Sequence, residues 1–593
     1  MDGPQVARAL REMGVLLELR GENAFRCKAY YNAADALRGI DDLAEKIKDG
    51  GKALEGLPGL GSSMLRKVAQ LALTGQLAEL DELRRTTPPG LLELYRVPGL
   101  GPSKIKALRE GLQIESLAAL KTAAQTGQLA RLKGFGPKSQ ASILEAIAFL
   151  EQASSRCLLD QADGFARALS QSLASCPLID SSRRLEPTGE LRRRVETIGA
   201  VELLAVPASG QIHPAELEQL HASWARLGWI RELRSQSLET PGPPGSPTFE
   251  LGVLEGRVGD GVPIRLILCP RERLGWTQLS RTGPDSHVAE FLDHAARRGR
   301  STWPIDAEDE ATIHHSLDLP FIPPELRDQP GVVARAARGL LPRLVTLSDL
   351  RGVFHCHTDW SDGAQTLDQM AQAARDRGFH YLGVADHSQS AFYANGLSPE
   401  RVHAQAAAID QLNTQLAGAL RLFKGIESDI LAEGQLDYAD ELLRTFDYVV
   451  VSVHSSFRLR RDAQTERLIQ ALRHPNATIL GHPTGRLLLA REGYAVDLDR
   501  VLEEAARLGK VVEINANPHR LDLDAAHARR AKELGLLLAI NPDAHSIDGL
   551  DDVRYGVDVA RRAGLEPGDL LNTLETDEVA ARLAALKRLS GSS

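Results

Sequence analysis

Several absences narrow the reading of this chain of 593 residues. Cysteine is scarce. The five cysteines, at 27, 157, 176, 269 and 356, form no CxxC pair. That excludes a disulfide framework and a paired-cysteine zinc finger, and it suits a reducing cytoplasm. Aromatics make up only 5% of the chain. No apolar run reaches the ~20 residues that a membrane-spanning helix needs. Met1 opens no signal-peptide pattern. No membrane partner is therefore expected. Histidine is absent from the first third: none of the 17 precedes His213.

The length predicts three or four domains. Net charge is −9, yet residues 51–150 hold 13 Lys/Arg against 8 Asp/Glu. That local excess is a modest footprint for a polyanion. Residues 1–150 read as helices with three similar punctuation marks: LPGLG at 57–61, VPGLG at 97–101 and LKGFGP at 132–137. Each precedes a helical segment with Lys or Arg in its first turns. A Gly-x-Gly turn exposes backbone N–H groups at a helix N-terminus, which suits a phosphate oxygen. Such contacts position a duplex without reading its sequence. One copy is as well explained by a turn joining packed helices; three copies in a locally basic segment favour non-specific DNA binding. The residues expected to carry it are Gly59, Gly61, Lys67, Gly99, Gly101 and Lys104.

Residues 160–320 read as α+β, with strands in LEPTGELRRR, VELLAVPA, FELGVLEG and VPIRLILCP and a loop at PGPPGSP, 241–247. After residue 350, short apolar runs alternate with amphipathic helices: GVFHCH, YLGVADH, LFKGIESD, YVVVSVH, TILGH, VVEINA and LLLAINPDAH. Seven strands separated by helices predict a parallel β/α barrel, with chemistry at the C-terminal strand ends.

Those ends carry metal-type side chains. His355 and His357 flank Cys356, and strand alternation puts both imidazoles on one face. Asp362, His387, Glu427, His454, His482, Asp543 and His545 complete the set. Imidazole and carboxylate suit Zn²⁺, Mn²⁺ or Fe²⁺. Nine groups exceed one ion's shell, so two or three divalent metals are expected, with Glu427 able to bridge. A lone strand-end His is ordinarily a hydrogen-bonded structural residue, but packing gives no reason to end strand after strand this way. Asp386 fits an orienting role better than a ligand role. His380, His403, His474 and His527 fit no strand end. Arg458, Arg486 and Arg520 follow ligand candidates and suit either a DNA phosphate or a solvated loop.

HCHTDWSDG, VADHS, SVHS, GHPTGRLL and DAHSID resemble the motifs of the PHP (polymerase and histidinol phosphatase) domain. LPGLG with LTGQL, VPGLG, RRRVETIG, RTG at 281–283 and LDLPFIPPELRD resemble, in order, the core of a family X DNA polymerase. Together they resemble the bacterial PolX family of DNA polymerase/3′–5′ exonucleases. The resemblance implies a helical helix-hairpin-helix (HhH) region, an α+β nucleotidyltransferase-like core and a C-terminal (β/α)7 PHP barrel. The implied divisions are 1–85, an 8-kDa-like domain; 86–155, fingers-like; 156–325, palm and thumb-like; 326–349, a linker; and 350–593, the PHP domain. It also implies a ligand set: His355, His357, Glu427 and Asp543 for one metal, Glu427, His454 and His482 for a second, Asp362, His387 and His545 for a third. Glu427, Asp543 and His454 would carry catalysis of a Mn²⁺- or Zn²⁺-dependent 3′–5′ exonuclease.

The polymerase half departs from the family frame G-S-x-R-R-G…E-T-x-G-D-x-D. Gly189, Arg192, Arg193, Glu196, Thr197 and Gly199 fit. The serine is Glu190, the two aspartates are Ala200 and Glu202, and the third aligns with Arg265. Two-metal nucleotidyl transfer needs those carboxylates, so its loss is expected. A shifted register would leave Glu196 and Glu202 as a reduced site. Lys67 aligns with the family's lyase lysine, although a phosphate contact is the simpler role. The expectation is a DNA-repair nuclease: a monomer, cytoplasmic and nucleoid-associated, acting without sequence preference on gapped, nicked or 3′-recessed DNA. The alternatives are a gap-filling polymerase with PHP proofreading, a non-catalytic DNA-end scaffold and a small-molecule phosphatase.

Overall fold

The structure is a computed structural model that describes residues 3–589, save 38–42, 48–53, 55–59, 96, 98, 181, 183–184, 241, 243–246, 260 and 300–306. The chain divides into two compact units, Met1–Ala153 and Ser154–Ser593. None of its described helices is long and apolar enough to cross a membrane.

The first unit is helical and has two cores. Helix Gly3–Leu19 places Val6, Leu10, Met13 and Leu17 at intervals of three or four. That stripe is buried against Tyr30 from Ala24–Leu37, Val68 and Leu71 from Ser62–Thr74, and Leu80 from Ala78–Thr86. The second core gathers Leu94, Leu108, Leu120 and Ile147 from helices Pro89–Tyr95, Pro102–Leu112, Leu117–Gln125 and Pro137–Ser154.

The second unit begins with a five-stranded mixed sheet. Its order is Glu186–Pro187, Val201–Ala205, Val262–Leu268, Phe249–Val258, Arg231–Thr240. Val201–Ala205 and Val262–Leu268 run parallel and set Glu202 beside Arg265. Three of the four expected strands are present; of LEPTGELRRR only Glu186–Pro187 is strand, and Gly189–Arg192 is helical. The edge strand Arg231–Thr240 carries no apolar alternation and is largely exposed, so pattern does not reveal it. The expected loop at 241–247 lies mostly outside the described residues. Residues 326–349, expected as a linker, are packed. Leu326, Val332, Val333 and Ala336 are buried against Trp276, Phe291, Ile313 and Ile322.

The rest of the unit is the barrel. Its strands are Gly352–Cys356, Tyr381–Val384, Arg421–Lys424, Glu427–Asp429, Val450–Ser452, Ile479–Leu480, Val511–Asn515 and Leu537–Asn541. All neighbouring pairs are parallel. The LFKGIESD run breaks into two short strands at one barrel position, so the positions number seven. Bridges at His387–Glu427 and Cys356–Ala544 close the ring. Inside, Phe354, Tyr381, Phe423 and Tyr448 pack together, and the helix Thr576–Leu589 covers them with Val579 and Leu583. Tyr448 donates to the carbonyls of Phe354 and Val384. It fits because position 425 is glycine: a Cβ there would lie 2.2 Å from its ring. Barrel and mixed sheet are joined by ion pairs. Arg194 holds Asp163 at 2.7 Å and Asp558 at 2.8 Å. Arg561 meets Glu325 at 2.7 Å.

Candidate metal centre

The nine expected ligand side chains converge at one mouth of the barrel, around Glu427. This carboxylate is buried at the start of its strand. Its Oε1 lies 3.0 Å from His482 Nε2, 3.3 Å from His454 Nε2 and 3.4 Å from His355 Nε2. Its Oε2 lies 2.9 Å from His387 Nδ1 and 3.8 Å from His357 Nε2. Asp543 Oδ1 stands 3.2 Å from His357 Nε2 and 3.6 Å from His355 Nε2. Asp362 Oδ1 stands 3.5 Å from His545 Nε2 and 3.7 Å from His387 Nε2.

Four overlapping groups place ligand atoms within 4.8 Å of one another: His357/Asp362/His387/His545, His355/Glu427/His482, His355/His357/Asp543 and His387/Glu427/His454. They differ from the family assignment. His357 joins the Asp362 group, His387 also stands with Glu427 and His454, His482 stands with His355 rather than His454, and Glu427 is not grouped with Asp543. Several buried ligand atoms accept and donate no hydrogen bond: His355 Nε2, both His357 nitrogens, His387 Nδ1 and Glu427 Oε2. Buried polar atoms are rarely left so. Cations among them would satisfy several at once, so the donor set fits divalent metal.

Electrostatics point the same way. Burial opposes charge on Glu427, but His454, His355 and His387 hold it well below the usual carboxylate range. Burial pushes His357 well below the usual imidazole range, helped by His545 and His387. Burial also opposes charge on His454, yet Glu427 and Asp429 carry it up to about 10. His482 and Asp543 have backbone φ of 22° and 53°, in the left-handed region that side chains avoid. Such strain gathers at functional sites.

A ring of second residues orients these ligands. Glu513 is fully buried and accepts from His355 Nδ1 at 2.7 Å, His482 N–H at 2.7 Å, Asn541 at 3.1 Å and Asn515 at 3.3 Å. Holding the Nδ1 proton frees His355 Nε2 for metal. Asp429 does the same for His454, at 2.6 Å. Sequence reading singled out neither. The signal for Glu513 was a lone acid within an apolar strand. The Asp386 carboxylate accepts from Thr358, Ser361 and Gln405, and its backbone carbonyl accepts from the Glu427 N–H at 3.0 Å. Arg520 approaches Asp543 at 3.4 Å, and Arg458 is exposed. Arg486 turns inward to Glu196 at 3.2 Å and to the carbonyls of Arg520 and Leu521, so it is no phosphate contact.

The charged groups around Glu202 are paired with one another instead. Arg265 Nη1 binds Glu202 at 2.9 Å and its Nε binds Glu255. Glu190 accepts from the Gly199 N–H at 2.7 Å and from Arg156 at 2.9 Å. Arg192 is engaged by Glu310 at 2.8 Å, and Glu310 is also held by buried Arg327. Ala200 offers no ligand atom. Glu196 is paired with Arg486 and Glu202 with Arg265. None of the four ligand groups among the described residues includes a residue of this pocket.

In the helical unit, Gly61 and Gly101 precede helices Ser62–Thr74 and Pro102–Leu112, and nothing crowds either position. Gly99 has φ 83°, and half-buried Lys104 folds back onto its carbonyl at 2.8 Å. Gly59 lies outside the described residues. Lys67 is not the open cation expected. It is paired with Glu79 and Tyr30, which outweigh burial and raise its pKa.

Comparison with known proteins agrees with this layout. A helix-hairpin-helix domain matches residues 1–77, a SAM-like helix-hairpin-helix tandem 91–148, and the PHP domain 354–517. A probable phosphatase of Thermoanaerobacter sp. is 26% identical over 37% of this chain and 89% of its own length. A probable phosphatase of Caldanaerobacter subterraneus is 28% identical over 32% and 74%. The DNA polymerase/3′-5′ exonuclease PolX of Bacillus subtilis is 32% identical over 98% of this chain and 99% of its own. A likeness of that extent, running through both helix-hairpin-helix segments and the barrel, makes this chain a member of the PolX family.

Proposed function

We propose that this chain is a metal-dependent phosphodiesterase that removes nucleotides from DNA 3′ ends at its barrel, and that its polymerase-like pocket has lost nucleotidyl transfer. The observation that carries the reading is the contrast between the two sites. Around Glu427, buried imidazole nitrogens lack partners. Around Glu202, every expected carboxylate is missing or already neutralised by an arginine.

His355, His357, Asp543 and Glu427 would hold one ion; Glu427, His454 and His482 a second; Asp362, His387, His545 and His357 a third. Mn²⁺ or Zn²⁺ suits this donor set. Such ions, when bound, activate water and offset charge on a phosphodiester. Glu427 would be shared by the first two sets, and its Oε2 also lies close to His387 and His357 of the third. Asp543, itself held by Asn515 at 3.1 Å, fixes His355 and His357 relative to each other. Asp429 holds the His454 proton at Nδ1 and aims Nε2 inward. Arg520 stands where a substrate phosphate would approach Asp543.

The helical residues 1–85 and 86–155 act as the DNA grip through Gly61, Gly99, Gly101 and Lys104, binding gapped, nicked or 3′-recessed DNA without sequence preference. Residues 156–325 serve as a palm and thumb-like platform joined by 326–349 to the nuclease, 350–593. The protein acts as a cytoplasmic, nucleoid-associated monomer. A second reading, small-molecule phosphatase, is favoured by the names of the shorter relatives. Two helix-hairpin-helix segments argue for DNA.

The test uses the full chain, Mn²⁺ and a 5′-labelled one-nucleotide-gap duplex, with and without dNTPs, beside Asp543→Ala. Primer shortening in the wild type alone, unchanged by dNTPs, is expected. Primer extension would overturn the loss of polymerization. Faster release of phosphate from nucleotide monophosphates than from DNA would favour the second reading.

A further inference from the structure

In a chain with few aromatics, two neighbouring rings stand bare beside the metal centre. Phe392 is 89% exposed and Tyr393 71%. They follow the ligand His387 on one loop, and the Tyr393 ring lies 6.2 Å from the His387 ring. Bare rings lose the burial that normally stabilises them, so such a pair is an unusual surface feature.

The loop beneath them is firmly held. Ala391 and Ala394 are buried. Ser390 donates to Asp437 at 2.7 Å and to Asp429 at 3.0 Å. Gly396 N–H returns to the Ala391 carbonyl at 3.1 Å. Arg401 binds the Asn395 carbonyl at 2.9 Å, and Asn395 donates to the Ser361 carbonyl at 3.3 Å. Asp429 is the same carboxylate that aims His454. The backbone that presents the rings is thus tied to the ligand shell, while the rings themselves meet solvent.

Cations lie on other loops that leave ligand-bearing strands. Exposed Arg458 follows His454. Arg491 stacks at 4.6 Å over Phe457 in the same loop as Arg458, and Arg520 approaches Asp543. Rings and guanidinium groups around one mouth form the combination that binds single-stranded nucleic acid: bases stack on the rings and phosphates meet the cations. A protein partner would account for the rings but not for their place beside the ligands.

We propose that Phe392 and Tyr393 are a stacking platform for the last bases of a single-stranded 3′ end, which positions its terminal phosphodiester at the metal centre. The proposal rests on the nuclease reading given above. It makes the two rings positioning residues that recognise bases of any sequence, since every base offers a π face.

The test pairs removal of the rings with removal of the bases. Full-length wild type, Phe392→Ala/Tyr393→Ala and Phe392→Tyr/Tyr393→Phe are given a single-stranded oligonucleotide and its analogue with abasic 3′-terminal residues, in Mn²⁺. Stacking contributes ~1–3 kcal/mol per base, so the wild type is expected to prefer the base-bearing end on the order of 10-fold in kcat/KM. The alanine pair is expected to lose that preference and the aromatic pair to keep it. A second readout needs no turnover: fluorescence of a 3′-terminal 2-aminopurine, bound in Ca²⁺, is quenched by wild type and the aromatic pair but not by the alanine pair. Active degradation with equal base preference and quenching in all three proteins would overturn the platform and leave the nuclease standing. Quenching without any degradation would support the platform and overturn the nuclease. Equal preference, with a lower solution mass for the alanine pair, would make the rings a protein contact and also overturn the proposal.

Discussion

Glu513 offers the sharpest probe of how the barrel holds metal. Its four partners, His355 Nδ1–H, His482 N–H and the amides of Asn515 and Asn541, are all donors. A carboxylate accepts from all four. Glu513→Gln keeps the shape but offers one acceptor oxygen and one NH2 group. In either orientation the NH2 faces two donors, so the side chain releases either His355 and Asn541 or His482 and Asn515. One ligand-bearing residue then loses its anchor in a fully buried site. Loss of such an orienting contact costs roughly 10–100-fold in metal affinity, or about 1.4–2.7 kcal/mol. The assay is a Mn²⁺ titration of exonuclease activity at saturating DNA, with thermal unfolding in chelator as a check on the fold. The Mn²⁺ midpoint is expected to rise by that factor, with most of the rate recovered at saturating metal. An unchanged midpoint in a folded variant would refute the argument that Glu513 orients the ligands.

Three further outcomes are expected. Arg327→Met leaves Glu310 buried with Arg192 as its remaining charged partner; the loss, about 3–5 kcal/mol for a broken buried pair, is read by thermal unfolding, and a loss below about 1 kcal/mol contradicts it. Burial, with Asp160 and Asp551 nearby, pushes Asp552 up to about 7. Its contribution to stability is therefore full below the ordinary carboxylate pKa and lost as pH rises through about 7, so wild-type Tm should fall between pH 6 and pH 8 by more than that of Asp552→Asn. Lys67, kept charged by Glu79 and Tyr30, is expected to give no borohydride-trapped adduct with a 5′-deoxyribose-phosphate end near pH 7; an adduct absent from Lys67→Ala would show that the lysine is a nucleophile after all.

Much of this molecule was legible in one dimension. The candidate ligands of the barrel stand at strand ends, and strands are read from short apolar runs that local sequence spells out. Alternation alone set His355 and His357 on one face. Ala200 and Arg265 were visible because the frame around them is local too. Cross-strand register, which no local pattern reveals, sets Glu202 beside Arg265. The exposed strand Arg231–Thr240 escaped because edge strands need no apolar period.

What the sequence by itself determined was the order of elements and the residue types at the centre, because periodicity and strand ends are properties of neighbouring positions. Only the tertiary structure decided which charges meet. His355 finds Glu513 across 158 positions, Arg192 finds Glu310 across 118, and Arg486 turns to Glu196 rather than to solvent. Such pairs have no period and no fixed spacing. They form because a buried charge or donor must find a partner in space, and the fold alone sets which partner is within reach.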